Sequence, residues 1–343
     1  MFRKCFCTLA LHLPLLGNPV SYDILGIGSA FVNYILKVNE EDLTSLKYDK
    51  GSSGSIEYNS LQSLLNNNNK QLQCSSFGGS GANVIKGLAK LGQRCAMLGN
   101  IGSDDKGLFY LKSLKDLEIT PLLQEGVLPT GQAICFITPD GETTTRSYSG
   151  ASKEPFNVNE KIFHKVKLFH IEAYQLKNRQ FLQNALDLAK KQDAKISLDL
   201  SDVALVKCYK DDLLNIIPKY IDILFANESE AFELTHLPPQ EACDFLGTLC
   251  EVVAITMGDK GSWVKSGKIK FYTSAMNVVT VDTTGAGDLF ASGFLHGYLN
   301  NKPLLTCAWI GSYVASKVVQ IYGTNIPDSM WEEIYATLKE RKY

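Results

Sequence analysis

The stretch VDTTGAGDLFASGFLHG, residues 281–297, decides how the rest of the chain is read. A threonine pair and three small residues, Gly285, Ala286 and Gly287, lead to an acid, Asp288, and then to an apolar, helix-compatible run. Small residues let the backbone turn tightly and approach a ligand, and the helix that follows offers free N–H groups and the positive end of its dipole. That combination predicts an anion hole. An aspartate in the first turn of the same helix adds a proton acceptor, placed for a hydroxyl that attacks a bound phosphate. The plainer reading is an acidic cap on a helix after a glycine turn.

Outward from that turn, the chain alternates between two patterns. Residues 22–28, 95–102, 166–172, 194–200, 221–227 and 252–258 are short apolar runs that read as buried strands. Helix-period segments lie between them at 82–91, 105–117, 178–191, 210–219 and 240–250, and the chain after Asp288 reads as helices over 289–299, 303–322 and 329–339. The alternation predicts an α/β fold with a mainly parallel sheet covered by helices on both faces. Two regions break it. Residues 33–74 are mixed and polar, with an asparagine tract at 66–69, and read as a mobile surface loop. Residues 132–149 are two β-rich runs around Pro139, Asp140 and Gly141, a hairpin signal that predicts a small β flap.

Composition excludes several classes. The 343 residues carry 34 basic and 36 acidic side chains, net charge −2, with no basic stripe, so nucleic acid is not expected as a partner. The nine cysteines show no C-x-x-C pair or zinc spacing and read as buried thiols of a reducing, cytoplasmic setting. The five histidines form no i, i+4 pair; His170 alone draws attention, at a strand end near Glu172. The start resembles a weak secretory signal or organelle presequence, yet His12 and Pro14 interrupt it, no small-x-small site follows, and it falls short of the about 20 apolar residues a membrane span needs. Residues 1–20 are therefore expected to be an extension outside the fold, residues 21–340 a single domain, and no membrane is expected.

The run D-T-T-G-A-G-D, 282–288, resembles the C-terminal signature of the PfkB, or ribokinase-like, family of sugar and nucleoside kinases. Other family motifs follow in order. FGGSGANVIKGLAKLG (77–92) is similar to the di-glycine signature, ANESEA (226–231) holds N-x-x-E, and TMGDKGS (256–262) matches the T-x-G-x-x-G nucleotide loop. The resemblance runs from about residue 22 to residue 327. It implies a ribokinase-like three-layer α/β/α domain with a small β-sheet lid, its segments at about 33–76 and 120–150, and an enzyme that uses ATP and Mg²⁺.

By that resemblance Asp288 would be the catalytic base, and the N–H groups of Gly285, Ala286 and Gly287 would hold charge on the transferred phosphoryl group. Thr256, Gly258 and Gly261 would line the ATP phosphates and ribose, with Ser312 near the adenine and Asn227 beside the phosphates. Glu230 would reach Mg²⁺ through water. Asp282, Thr284 and Gly323 match positions where many family members hold a monovalent cation, so K⁺ joins the implied ligands. Thr256-x-Gly258 also reads as a strand end, and Asn227 with Glu230 as an ordinary helix start.

On the acceptor side, Gly78 and Gly79 would let the backbone reach a sugar ring, Asn83 would hydrogen-bond its hydroxyls, and Glu172 matches an acidic sugar-facing position. The family's usual aspartate near the first strand is Asn33 here, an amide without the charge that strengthens such bonds roughly twofold. Phe136 is a candidate to close over a sugar or stack on a purine, or else packs inside the flap. GGSGAN, TPDGETTTRSYSGAS and VVQIYGTNIP look most like the bacterial adenosine kinase-like sugar kinases. The expected partner is thus a small molecule, adenosine ahead of ribose, fructose or another ketose. A non-catalytic binding or regulatory protein is the alternative that Asn33 keeps open, and a homodimer through the lid, known in the family, is left undecided by the sequence. No G-x-G-x-x-G unit with an acid about 20 residues on is present, and no G-x-x-x-x-G-K-[ST].

Overall fold

Strands form where apolar runs are covered on both faces, and the computed structural model, which describes residues 22–342, contains fourteen of them. The first four are β1 (Ile24–Ile27), β2 (Phe31–Lys37), β3 (Ser53–Ser55) and β4 (Leu72–Gly78). Next come β5 (Cys95–Gly102), β6 (Thr120–Gly126), β7 (Gly131–Ile137) and β8 (Thr143–Tyr148). The remainder are β9 (Leu168–Glu172), β10 (Lys195–Asp199), β11 (Ile223–Asn227), β12 (Val252–Thr256), β13 (Ser262–Ser266) and β14 (Ile269–Thr273). The amino-terminal extension, with Cys5, Cys7 and His12, lies outside the described residues.

Nine strands make one sheet in the order β14-β13-β12-β11-β10-β9-β1-β5-β6. All its pairings are parallel except those that β13 makes with β12 and β14. Alternate side chains feed opposite layers. Leu25, Phe169 and Leu198 pack with helices Arg179–Lys191 and Lys210–Tyr220, whereas Ile24, Leu168 and Ala254 pack with helices Ser80–Lys90 and Ala286–Leu299. This is the three-layer α/β/α arrangement with a larger central sheet. The chain passes from β1 to β5 on one side and reaches β9 on the other, which opens a crevice at the carboxyl ends of β1 and β9.

The other five strands form a smaller mixed sheet, β3-β8-β7-β2-β4, above that crevice. The region expected as a mobile loop supplies three of these strands and two helices, Glu40–Ser45 and Tyr58–Asn67. Leu43 and Leu61 from those helices cover the outer face with Leu36, Ile134 and Phe136. The asparagine tract is only the end of a helix and the turn after it. β6, inside the second segment expected for the lid, pairs instead with β5 at the edge of the large sheet. The helix expected to reach residue 322 stops at Val318, where the Val319 carbonyl accepts from the Val281 N–H at 2.7 Å and Gly323 turns the chain at φ +71°.

Candidate active site

Two cavities share a wall at the glycine turn. The first, about 310 Å³, lies between the carboxyl ends of the parallel strands and the inner face of the small sheet. The second, about 560 Å³, runs along residues 258–261 and one face of helix Leu304–Val318. Thr256, Thr283, Ala286, Gly287 and Phe290 line both.

Asp288 sits in the first turn of helix Ala286–Leu299 and faces the first cavity. Its Oδ1 accepts from the Ser80 hydroxyl at 2.7 Å and its Oδ2 from Asn83 Nδ2 at 2.8 Å. Burial pushes its pKa up to about 6, against the pull of Asn83, Ser80 and the Lys86 charge. Gly285 caps that helix at φ +74°, and a Cβ there would come 2.5 Å from Thr324 Cγ2. Only glycine meets both demands. Gly287 has nothing within 4 Å of where a Cβ would stand, and it lines both cavities.

Helix Ser80–Lys90 begins differently. Its N-cap is Gly79 at φ +99°, packed on the Ser29 carbonyl, and offers no side chain. Glu172, from the end of β9, takes over: Oε2 accepts from the Gly81 N–H and Oε1 from the Ser29 N–H, both at 2.7 Å. The carboxylate expected to face a sugar thus lines the cavity while holding two backbone amides, and burial raises its pKa. Asn33 lines the same cavity from β2. Gly78 lies beneath it, where a Cβ would come 2.3 Å from Asn33 Nδ2, so the missing side chain makes room for that amide.

Asn227 and Glu230 make the helix start that their spacing suggests: Asn227 Oδ1 accepts from the Glu230 N–H at 2.9 Å, and Glu230 Oε2 accepts from the Asn227 N–H at 2.8 Å. Both also line the first cavity, opposite Asp288. Asp199, which motif reading missed, stands with them at the end of β10. Burial raises the pKa of Asp199 and of Glu230, and each nearby carboxylate raises it further. Two carboxyl groups that resist ionising together would gain from a hydrated cation beside them, although no group of three His, Cys, Asp or Glu side chains gathers as a metal cage among the described residues.

Gly258, Gly261 and Ser312 line the second cavity with Thr256. Asp282, Thr284 and Gly323 meet beside the glycine turn. Asp282 is fully buried, Oδ1 accepting from the Thr284 N–H at 2.8 Å and Oδ2 from the Gly323 N–H at 2.7 Å. The β7–β8 hairpin reaches the same place. Its Gly141 carbonyl accepts from the N–H and hydroxyl of Thr283, and the Thr143 hydroxyl lies 3.1 Å from that of Thr284.

Two residues singled out in the sequence stand away from both cavities, and Phe136 takes the second of its two readings. Phe136 is fully buried on the outer face of the small sheet, its ring 5.9 Å from that of Tyr48, because strand side chains alternate and its neighbours Ala133 and Cys135 are the ones that face the cavity. His170 is buried beneath the sheet against Ser197 at 2.9 Å, with its pKa lowered to about 3 by burial, and lines neither cavity. Motif reading also missed Ser80, Thr143, Thr324 and Lys86. Lys86 alone carried a signal, a lysine inside the otherwise apolar ANVIKGLA.

Known proteins are similar to this chain in sequence and in fold. A family model described as pfkB family carbohydrate kinase matches residues 57–331. A nucleoside kinase of Methanocaldococcus jannaschii is 30% identical over 278 residues, 78% of this chain and 86% of the relative. Crystal structures of a probable sugar kinase from Rhizobium etli (TM-score 0.87, 28% identity) and of adenosine kinase from Sinorhizobium meliloti (TM-score 0.86, 27% identity) each cover 92% of this chain, and 98% and 99% of their own. Among the described residues no helix is long and apolar enough to cross a membrane. With a glycine turn, a buried carboxylate and two adjoining cavities on an α/β/α domain, the chain belongs to the PfkB family of carbohydrate kinases, ATP-dependent enzymes that phosphorylate a sugar or nucleoside hydroxyl.

Proposed function

We propose that this protein transfers the γ-phosphate of ATP to the primary hydroxymethyl of a nucleoside, adenosine foremost. The observation that carries the reading is Asp288: a carboxylate with a pKa near 6, aimed by Ser80 and Asn83, in the first cavity and next in sequence to Gly287, which lines both. A base of that pKa is largely deprotonated at neutral pH and still able to take a hydroxyl proton. The acceptor occupies the first cavity and ATP the second. The hydroxyl gives its proton to Asp288 as its oxygen attacks phosphorus in line, and the N–H groups of Gly285, Ala286 and Gly287 receive charge from the transferred group. Thr256, Gly258, Gly261 and Ser312 bind ATP with Asn227. Glu230, with Asp199 beside it, would hold Mg²⁺ through water, and the ion would supply neutralisation of phosphate charge. K⁺ belongs at the cluster of Asp282, Thr284 and Gly323.

Two features favour a nucleoside. Phe31 and Tyr174 line the first cavity as flat apolar surfaces, and the small side chains Ala133, Cys135, Thr145 and Ser147 leave space beneath the small sheet. The likeness to adenosine kinase of Sinorhizobium meliloti points the same way. Asn33, the neutral amide at the acceptor side, favours a second reading in which a free sugar, ribose or fructose, is the substrate or turnover is slow. The test is ATP turnover by the purified protein with Mg²⁺ and K⁺ against adenosine, inosine, ribose, fructose, 2-keto-3-deoxygluconate and fructose 6-phosphate, with the product identified. Adenosine phosphorylated at its hydroxymethyl is the expected result. Preference for a sugar selects the second reading; silence across the panel from a folded, ATP-binding protein overturns adenosine as the substrate and selects either an acceptor outside the panel or a binding or regulatory role.

A further inference from the structure

Lys86 lies where burial argues against a lysine. It is 5% exposed on helix Ser80–Lys90, one turn beyond Asn83, and among the described residues no carboxylate pairs directly with its ammonium. Its three N–H groups meet three neutral acceptors: the Phe77 carbonyl at 3.3 Å, Thr324 Oγ1 at 2.8 Å and Asn325 Oδ1 at 3.0 Å. The Phe77 ring lies 4.7 Å away. A methionine of similar length would fill this space without taking a charge out of water. The charge therefore calls for another use.

The hydrogen bonds supply one. Lysine has donors only, so Thr324 Oγ1 accepts from it and its own proton goes onward to Asn83 Oδ1 at 3.0 Å. Asn83 then has its nitrogen free for Asp288 Oδ2, at 2.8 Å. Every bond in the row points toward the carboxylate, and the row fixes which way the Asn83 amide faces. The Thr324 methyl also seats the glycine turn, against the position where a Cβ on Gly285 would fall. We propose that Lys86 is a positioning residue for phosphoryl transfer, which acts through Thr324 and Asn83 to hold the Asp288 carboxylate aimed and anionic; this rests on the reading of Asp288 as the base.

The groups facing Asp288 make the charge of Lys86 count. Ser80 and Asn83 bond to it from one helix, and the Asp288 charge in turn raises the pKa of Glu172 of β9, Asp199 of β10 and Glu230 of helix Glu228–Thr235. The Lys86 charge acts the other way on Asp288 itself and lowers its pKa. Lys86 itself is faced by Phe77 and Cys74 of β4, by Thr324 and Asn325, and by Asp288. Burial lowers its pKa to about 7, which leaves it charged where Asp288 titrates.

The experiment compares Lys86→Met and Thr324→Val with the wild type by thermal unfolding, by kcat and KM across pH 5–9, and by carbon-13 carboxyl NMR of Asp288 without nucleotide, assigned by its absence in Asp288→Asn. In Lys86→Met the Asp288 midpoint is expected to rise by about one unit, the acid limb of kcat to move with it, and kcat to fall about tenfold or more with acceptor KM changed far less. Thr324→Val keeps the ammonium and a methyl, so it is expected to lower kcat with a smaller shift of the midpoint. An unmoved midpoint and a wild-type kcat profile in Lys86→Met overturn the proposal, whatever the unfolding temperature does. If Lys86→Met does not fold, a wild-type rate and pH profile in Thr324→Val overturn it instead. If the wild type phosphorylates nothing yet the midpoint still moves, the kinase reading falls and the Lys86–Asp288 coupling stands.

Discussion

Asp288 shows how one side chain sets both rate and stability. A base with a pKa near 6 gives a kcat that falls as pH drops through about 6 and levels off above 7. The effect on folding runs the other way. The folded pKa lies above the ordinary 3.8, so the folded protein keeps a proton that the unfolded chain releases. The contribution of Asp288 to stability is complete below about pH 4 and is lost as pH rises through about 6. Asp288→Asn is therefore expected to lose about 10²–10⁴ in kcat while melting no lower than the wild type at pH 8, with ATP affinity within a few-fold. Turnover profiles and thermal unfolding at pH 5 and pH 8 check both halves. At this scale the sequence was legible where a motif carries the residue, as for Asp288 and Asn83. Lys86 and Thr324 meet only because helix Ser80–Lys90 packs against the turn after helix Leu304–Val318, and no spacing encodes that.

At the scale of the element, the glycine turn is two different devices. Gly285 is needed for its backbone: φ is +74° and Thr324 closes the space where a side chain would go. Gly285→Ala is expected to cost about 1–3 kcal/mol and to lower the melting temperature along with kcat. Gly287 has open space, so Gly287→Ala is expected to melt within about 1 °C of the wild type yet lose about tenfold or more in kcat/KM for ATP, since the methyl stands where phosphate approaches. Unfolding curves and steady-state kinetics on the two variants separate the roles. Elements with a strong period, such as β9–β12 and helix Arg179–Lys191, were readable from the sequence because both faces of the sheet are covered. Residues 33–74 were not. β3 is only serine and glycine, β4 holds two serines and a glycine, and the helices that cover the small sheet are amphipathic only with respect to a sheet that the rest of the chain must build.

For the whole molecule, the small sheet and the large sheet's layers touch directly beside the glycine turn. The Thr143 hydroxyl lies 3.3 Å from Asp282 Oδ1 and 3.1 Å from Thr284 Oγ1, and Ser53 at the far edge of the small sheet donates to Asp202 of the large domain. Thr143→Val keeps the shape and removes the hydroxyl. It is expected to cost about 1 kcal/mol, to raise acceptor KM several-fold, and to increase ATP hydrolysis relative to transfer, because water then enters a site the hairpin no longer seals. Assays of phosphorylated product and free phosphate in parallel measure that ratio; an unchanged ratio shows that the hairpin contact does not govern access.

The borrowed cap at Glu172 has a consequence for how the chain is made. Helix Ser80–Lys90 starts on a carboxylate that lies 91 residues after Gly81, and the same carboxylate fastens Ser29 across 143 residues. During synthesis from the amino terminus, the first third of the protein therefore leaves the ribosome with the Ser29 and Gly81 amides still unmatched. Only when β9 docks beside β1 does that helix acquire its anchor, so the acceptor side of the crevice is completed by a late, long-range event.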